Sequence, residues 1–312
     1  MPETSTLSAA GRPVSTHRAA RLMRLATYAS VSVAVVLIVA KFAAWLATDS
    51  VSLLSTLIDS LLDAGASLIN LFAVRQALQP ADREHRFGHG KAEPLAGLAQ
   101  AAFICGSAAF LLIEAGKRFI QPRDLENTEI GIAVMIFSIA LTVALVLFQR
   151  HVVRQTDSVA IRADSVHYRM DVLVNASVIV SLILATRLGW RWADPLFATA
   201  IAGYIVWGAA VIGRQALNLL MDRELPDAER QRIRQIVLAH PDVRDMHDLR
   251  TRSSGLQLFI QLHLEMDGAL TLARAHEISD QVEAEIERAY PKAEVIIHED
   301  PEGVDEKRAD FD

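Results

Sequence analysis

The chain has 312 residues, 52% of them hydrophobic and 22% charged. Its mean hydropathy is positive, which points to a membrane protein rather than a large soluble domain. A formal net charge of -6 argues against a nucleic-acid binder. The single cysteine, Cys105, rules out an intrachain disulfide and reads, within FICGSAAF, as a small buried residue.

Residues 1–22 are polar and rich in Ser, Thr and Ala, and read as a disordered cytoplasmic leader. The apolar stretch after them is longer than a signal-peptide core and shows no cleavage pattern, so it is taken as retained. Apolar stretches fall at 25–47, 51–74, 94–116, 130–148, 166–188 and 195–213. Each is near the ~20 residues that cross a hydrocarbon core. The expected architecture is an α-helical membrane domain of six transmembrane helices over 23–213. Eleven Lys and Arg residues flank the spans on the leader's side and five on the other. That bias puts the N-terminus in the cytoplasm, and six spans return the C-terminus to the same side. Gln149–Arg162 reads as a loop.

Near Gln215 the character changes. RELPDAERQRIRQIVLAHPDV has a polar-faced helical pattern, with Asp227 as its expected N-cap. MHDLRTRSS and LQLFIQLHLEM read as strands joined at Ser253-Ser254-Gly255. TLARAHEISDQVEAEIERAY is an amphipathic helix and AEVIIHEDP a strand. The order α-β-β-α-β predicts a small α+β domain over 214–301 with its helices on one sheet face. Residues 302–312 are charged and expected to fray.

IDSLLDAGASL places Asp59 and Asp63 inside the second apolar stretch. Each charge in mid-membrane costs ~2.5–3.5 kcal/mol on insertion scales, so such residues normally face a bundle interior. Four-residue spacing puts both on one helix face, ~6 Å apart along the axis. Either one of them is protonated or a cation lies between them. In the fifth stretch, His167, Asp171 and Asn175 repeat at the same spacing. Asp59, Asp63, His167 and Asp171 together supply four oxygen and nitrogen donors, the number for a tetrahedral divalent ion. Zinc fits such a set; cadmium, ferrous iron and cobalt are compatible. Each ligand can also bind a proton, so metal binding displaces protons and the site supports exchange. Asn70 and Asn175 read as polar lining residues or as helix-to-helix hydrogen bonds. The small residues Ala64, Gly65, Ala66 and Ser67 suggest close approach of a second helix. Asp82, His85 and His89 form a D-x2-H-x3-H cluster, read either as an exposed metal site or as a solvated loop. His247, His263, His276, His298, Glu299 and Asp300 concentrate in the tail.

DSLLD, QPADREHRFGHGKAE, ADSVHYRMD, HDLRTR and IIHEDP together resemble the cation diffusion facilitators, above all the bacterial zinc and ferrous-iron efflux proteins. The resemblance covers roughly residues 22–301. It implies six spans, a cytoplasmic ferredoxin-like domain, a homodimer in the bacterial inner membrane, and proton-coupled export of divalent metal. It implies that the intramembrane quartet is the transport site and that Asp82, His85 and His89 form a second site. In the tail it implies one ion on His247, His263 and Asp300 and another on His276, His298 and Asp300, with Asp300 bridging at the dimer interface. The family pattern has Gln where this chain has Glu299, which would add a carboxylate ligand. Zinc is then both cargo and structural or regulatory metal, with cadmium or ferrous iron as alternative cargo. The rival readings are an intramembrane metalloenzyme, a metal sensor and a channel. The first lacks HExxH and a base beside an open metal position. The second leaves the intramembrane quartet without a use. The third needs neither proton exchange nor a four-ligand cage.

Overall fold

The computed structural model describes residues 16–48, 51–120, 129–188, 190, 192–291 and 293–303. Six long helices come first: α1 (Thr16–Thr48), α2 (Val51–Ala77), α3 (Ala92–Ile120), α4 (Glu129–Thr156), α5 (Val159–Leu188) and α6 (Ala193–Leu220). Five of them, all but α5, are long and apolar enough to cross a membrane. With 30 residues, α5 extends about 45 Å. Its first half carries Arg162, Asp164, His167, Arg169 and Asp171, so its composition is less apolar than its neighbours'. The outward side chains of the bundle are apolar: Phe110 is 67% exposed and Trp207 65%. That surface suits hydrocarbon rather than water.

Within this unit α1 packs on α2 and α4, and α5 packs on α3 and α4. Ile104 and Ala108 of α3 meet Ile205 and Ala209 of α6, with Val166 and Met170 of α5 against them. This face explains a difference from expectation. Cys105 is exposed, because Ile104 and Ala108 occupy the buried side of α3. Small residues let helices approach closely. A Cβ on Gly97 would lie 2.8 Å from Val159 Cγ1, whereas one on Gly65 would meet nothing within 4 Å. Of the small residues near Asp63, the contact is carried by Ala66 and Ser67, which are buried.

Two boundaries differ from the sequence reading. Helix α1 starts at Thr16, so only residues 1–15 of the expected leader lie outside the described residues. The expected loop at 149–162 is almost all helix. Helix α4 continues to Thr156 and α5 begins at Val159, with the break confined to Asp157 (φ 53°) and Ser158. Arg150 and Arg154 end the apolar run without ending the helix. Arg162 closes the turn by pairing with Asp157.

The second unit, Asn218–Asp312, has the predicted αββαβ order. Helix α7 (Asp227–Val237) starts after Pro226, with no side-chain cap from Asp227. Strands β1 (Asp245–Ser254) and β2 (Gln257–Met266) are antiparallel, α8 (Leu272–Ala289) is capped by Thr271, and β3 (Ala293–Pro301) lies parallel to β2. The sheet order is β1-β2-β3. Ile260, Leu262, Leu264 and Met266 alternate along β2 and share one core with Ile233, Ile278, Val282 and Ile286 of the helices. The period of two then sends Gln261, His263 and Glu265 to the opposite face. Of the expected frayed end, residues 304–312 lie outside the described residues, while Glu302 N–H donates to Met266 O at 2.7 Å.

Candidate metal centres

In the helical unit, α2 and α5 are joined by a ladder of polar contacts. His167 Nε2 lies 3.0 Å from Asp63 Oδ1. Tyr168 Oη and Ser67 Oγ are 2.8 Å apart. Asn70 Nδ2 donates to Ala160 O at 3.5 Å. Positions 63, 67 and 70 share one face of α2 by helical spacing. Asn70 is thus a helix-to-helix bond, while Asn175 bonds back to Asp171 O at 2.8 Å in its own helix.

Asp63, His167 and Asp171 each offer one ligand atom, and these atoms all lie within 4.8 Å of one another. Asp59, one turn before Asp63, is exposed and stands outside this cluster. Three of the four expected ligands are therefore brought together in a single chain. A set of two carboxylates and one imidazole is suited to a borderline divalent cation. Beside the cluster, a buried network joins Ser30, Ser67, Tyr168, Gln149 and Asp164. Ser30 Oγ of α1 donates to Asp164 Oδ2 at 2.6 Å, and Gln149 Nε2 of α4 donates to the same oxygen at 2.7 Å. Ser30 Oγ is also 3.2 Å from Ser67 Oγ. His167 Nδ1 is buried with no hydrogen-bond partner among the described residues.

The loop between α2 and α3 brings Asp82, His85 and His89 together, again with ligand atoms within 4.8 Å of one another. Asp82 Oδ1 accepts the backbone N–H groups of His85 (2.7 Å) and Glu84 (2.9 Å). The same carboxylate lies 3.4 Å from both His85 Nδ1 and His89 Nε2. Gly88, at φ 75°, supplies the left-handed turn that folds His89 back onto Asp82. The backbone N–H of His85, followed by that of Glu84, holds the Asp82 carboxyl below the usual carboxylate range. Ligand-ready ionisation and two adjacent imidazoles fit a divalent metal. Four residues on, the buried Glu93 carboxylate accepts the N–H of Ala160 at 3.5 Å, at the start of α5.

In the tail unit, strand register builds the site. His247 faces His263 across β1 and β2, and His263 faces His298 across β2 and β3. Asp300 is buried beneath them. Its Oδ2 lies 2.8 Å from His263 Nδ1 and 3.3 Å from His247 Nε2, and its Oδ1 lies 3.3 Å from His298 Nε2. His247, His263 and Asp300 meet the same 4.8 Å criterion. Glu265 Oε1 holds His247 Nδ1 at 2.8 Å, which aims Nε2 at Asp300. A bulge between His247 and Arg250, with Asp248 at φ 46°, brings Asp248 Oδ2 within 3.9 Å of His263 Nε2.

Glu299 and His276 are placed differently. Val295, Ile297 and Glu299 point toward the helices, and Glu299 Oε1 accepts a hydrogen bond from Ser279 Oγ at 2.8 Å. His276 is exposed on α8, with Nδ1 3.6 Å from Asp280 Oδ1. Neither joins the histidine cluster of this chain among the described residues. Glu265, Asp164 and Lys41 were not anticipated. Glu265 could have been found from its i+2 position beside His263 on one strand face. Lys41 is the lone charge in the stretch 25–47. Asp164 shares a helix turn with His167, and nothing in its spacing names Ser30 or Gln149 as its partners.

The transmembrane-domain model of cation efflux proteins matches residues 27–221. The model of the cytoplasmic domain of cation efflux proteins matches residues 225–302. The cation-efflux pump FieF of Klebsiella pneumoniae is 50% identical over 284 residues, covering 91% of this chain and 94% of that protein. The cation-efflux pump FieF of Shewanella oneidensis is 48% identical over 279 residues, covering 89% and 94%. The metal-bound C-terminal domain of the CzcD transporter from Thermotoga maritima aligns with a TM-score of 0.25 and 28% identity, covering 26% of this chain and all of that domain. With both domain models matched and half of the residues shared with full-length relatives, the chain belongs to the cation efflux family and is a multi-pass membrane transporter of metal cations, not an enzyme.

Proposed function

We propose that the protein is a proton-coupled antiporter that exports divalent metal cations, zinc foremost, with cadmium and ferrous iron as further cargo. The observation that carries this reading is the Asp63–His167 contact at 3.0 Å with Asp171 beside it, between the membrane-suited α2 and the α5 helix that packs within the same bundle. Carboxylates and imidazole bind either a metal or protons, so loading one releases the other. Asp59, one turn from Asp63, completes the tetrahedral set when α2 turns or shifts toward α5. Related proteins are described as cation-efflux pumps, which supports the outward direction.

The loop site on Asp82, His85 and His89 and the tail site on His247, His263 and Asp300 act as cytoplasmic metal sites that regulate flux. Their donor sets fit zinc. The second expected tail ion would use His298 and Asp300, with His276 and the role of Glu299 set by the homodimer. Both termini face the cytoplasm of a bacterial inner membrane. The test is zinc flux in proteoliposomes under an imposed pH gradient, for the parent and for Asp63→Ala. The antiport reading requires zinc uptake that follows the gradient and moves protons in the opposite direction. It is refuted if flux ignores the gradient, and the site assignment is refuted if Asp63→Ala carries zinc like the parent.

A further inference from the structure

Lys41 lies in the membrane-suited part of α1 and turns its ammonium onto α2. Its Nζ donates to Ser60 Oγ at 2.6 Å and to Thr56 O at 3.1 Å. Ser60 is buried and adjoins Asp59, and Asp63 follows less than one turn later. The charges that act on this ammonium come from Asp63 and Asp59 of α2 and Asp171 of α5. Hydrogen bonding alone does not account for a lysine here. Ser60 and Thr56 need no charged donor, because a helical hydroxyl can bond to its own backbone and the Thr56 carbonyl belongs to the helix ladder. A charged side chain within a span is costly and is kept where it has a charge to meet.

We propose that Lys41 is a fixed cation of the transport site, a positioning residue that offsets one of its three carboxylates. Three carboxylates and one ammonium carry a formal charge of minus two, the complement of a single divalent ion. Without the ammonium the site carries one further negative charge. It then holds zinc more tightly and gives it up more slowly. Lys41 thus sets release rather than capture. Thr56 and Ser60 anchor the ammonium toward the α1–α2 connection, where it stays near the carboxylates without becoming a ligand. The proposal rests on the reading of Asp63, His167 and Asp171, completed by Asp59, as the transport site.

The test measures zinc transport by the full-length protein in proteoliposomes, comparing the parent with Lys41→Gln, Lys41→Arg and Asp63→Ala. Lys41→Gln keeps a donor for Ser60 and removes the charge. Its KM and kcat should both fall roughly tenfold or more, since one full charge bearing on the site is removed in a low-dielectric setting. Lys41→Arg keeps the charge and should stay within about threefold of the parent on both. If Lys41→Gln stays within about threefold on both parameters, or loses kcat at unchanged KM, the charge role is overturned. If instead Asp63→Ala transports like the parent, the site reading itself fails. Loss of Asp63→Ala activity with an unchanged Lys41→Gln variant sinks the Lys41 proposal alone. Should Lys41→Gln not fold, Lys41→Arg decides: a tenfold change in KM with charge retained overturns the proposal.

Discussion

His167 Nε2 stands 3.0 Å from Asp63 Oδ1, joining α5 to α2 inside the helical unit. The imidazole is 2% exposed, so water cannot screen the pair as it screens surface ion pairs. The contact points a nitrogen that can ligate a metal at an oxygen that can do the same, with Asp171 in reach of both.

Replacing either partner should therefore cost more than the ~10–100-fold typical of groups that only support metal ligands. Asp63→Asn is the sharper substitution, because it keeps size and one acceptor while removing the charge. Zinc flux in proteoliposomes should fall by at least roughly that amount, with the protein still folded by circular dichroism. Flux within twofold of the parent would mean that the pair is a packing contact. Lowering the pH on the metal-loading side should also slow uptake, since protons compete for the same carboxylates and imidazole.

The loop cluster makes a pH prediction with a definite sign. Backbone N–H groups of His85 and Glu84 keep the Asp82 carboxyl below its usual range. The folded loop thus favours the ionised form. Its contribution to loop order is complete above the unfolded carboxylate value of ~3.9 and fades as pH falls through the lower folded value. Amide hydrogen exchange at His85 and Glu84, corrected for intrinsic rates, should show protection that declines only at acid pH. Asp82→Asn should flatten that dependence. Protection that is the same in acid and at neutrality would remove the carboxylate from the account.

Asp300 and Glu299 are neighbours in sequence on opposite faces of β3. Asp300 is buried and meets His247, His263 and His298. Glu299 faces α8 and bonds Ser279. Asp300→Asn should reduce the zinc bound per full-length chain by about one equivalent, measured after equilibrium dialysis, because one carboxylate serves all three rings. Glu299→Gln should leave bound zinc unchanged and keep the Ser279 bond through its amide. Loss of zinc from Glu299→Gln would mean that this side chain ligates metal after all, in a partner-dependent arrangement.

That contrast shows what the sequence could carry. The αββαβ order, the long helices and the three acid-histidine groups were all visible as patterns of hydropathy and spacing. Strand parity was visible too: His298 and Asp300 must share a face, and Glu299 must oppose them. Only the identity of the helix-facing side was missing, and Ser279 supplies it. The register that sets His247 beside His263 is non-local, as are the Ser30, Gln149 and Asp164 contacts from three different helices. Helix ends were misread where Arg150, Arg154 and Arg162 continue a helix beyond its apolar part. Charge marks the limit of the hydrocarbon, not the limit of the backbone hydrogen bonds.

Close helix packing gives the last prediction. At Gly97, an added Cβ would sit 2.8 Å from Val159 Cγ1, the first residue of the helix that carries His167 and Asp171. At Gly65, two residues after Asp63, an added Cβ meets nothing. Sequence alone favours Gly65 as the close-contact glycine, because it adjoins the acids. The structure reverses that ranking. Gly97→Val should shift the start of α5, cost about 1–3 kcal/mol as an overpacked contact, and lower zinc flux with it. Gly65→Ala should be neutral or slightly stabilising, since alanine is preferred to glycine inside a helix by roughly 0.5–1 kcal/mol. Thermal unfolding in detergent together with flux in proteoliposomes separates the two. If Gly65→Ala is the more damaging substitution, then α2 meets a surface in the working protein, such as a second copy of the chain, that the single chain leaves open.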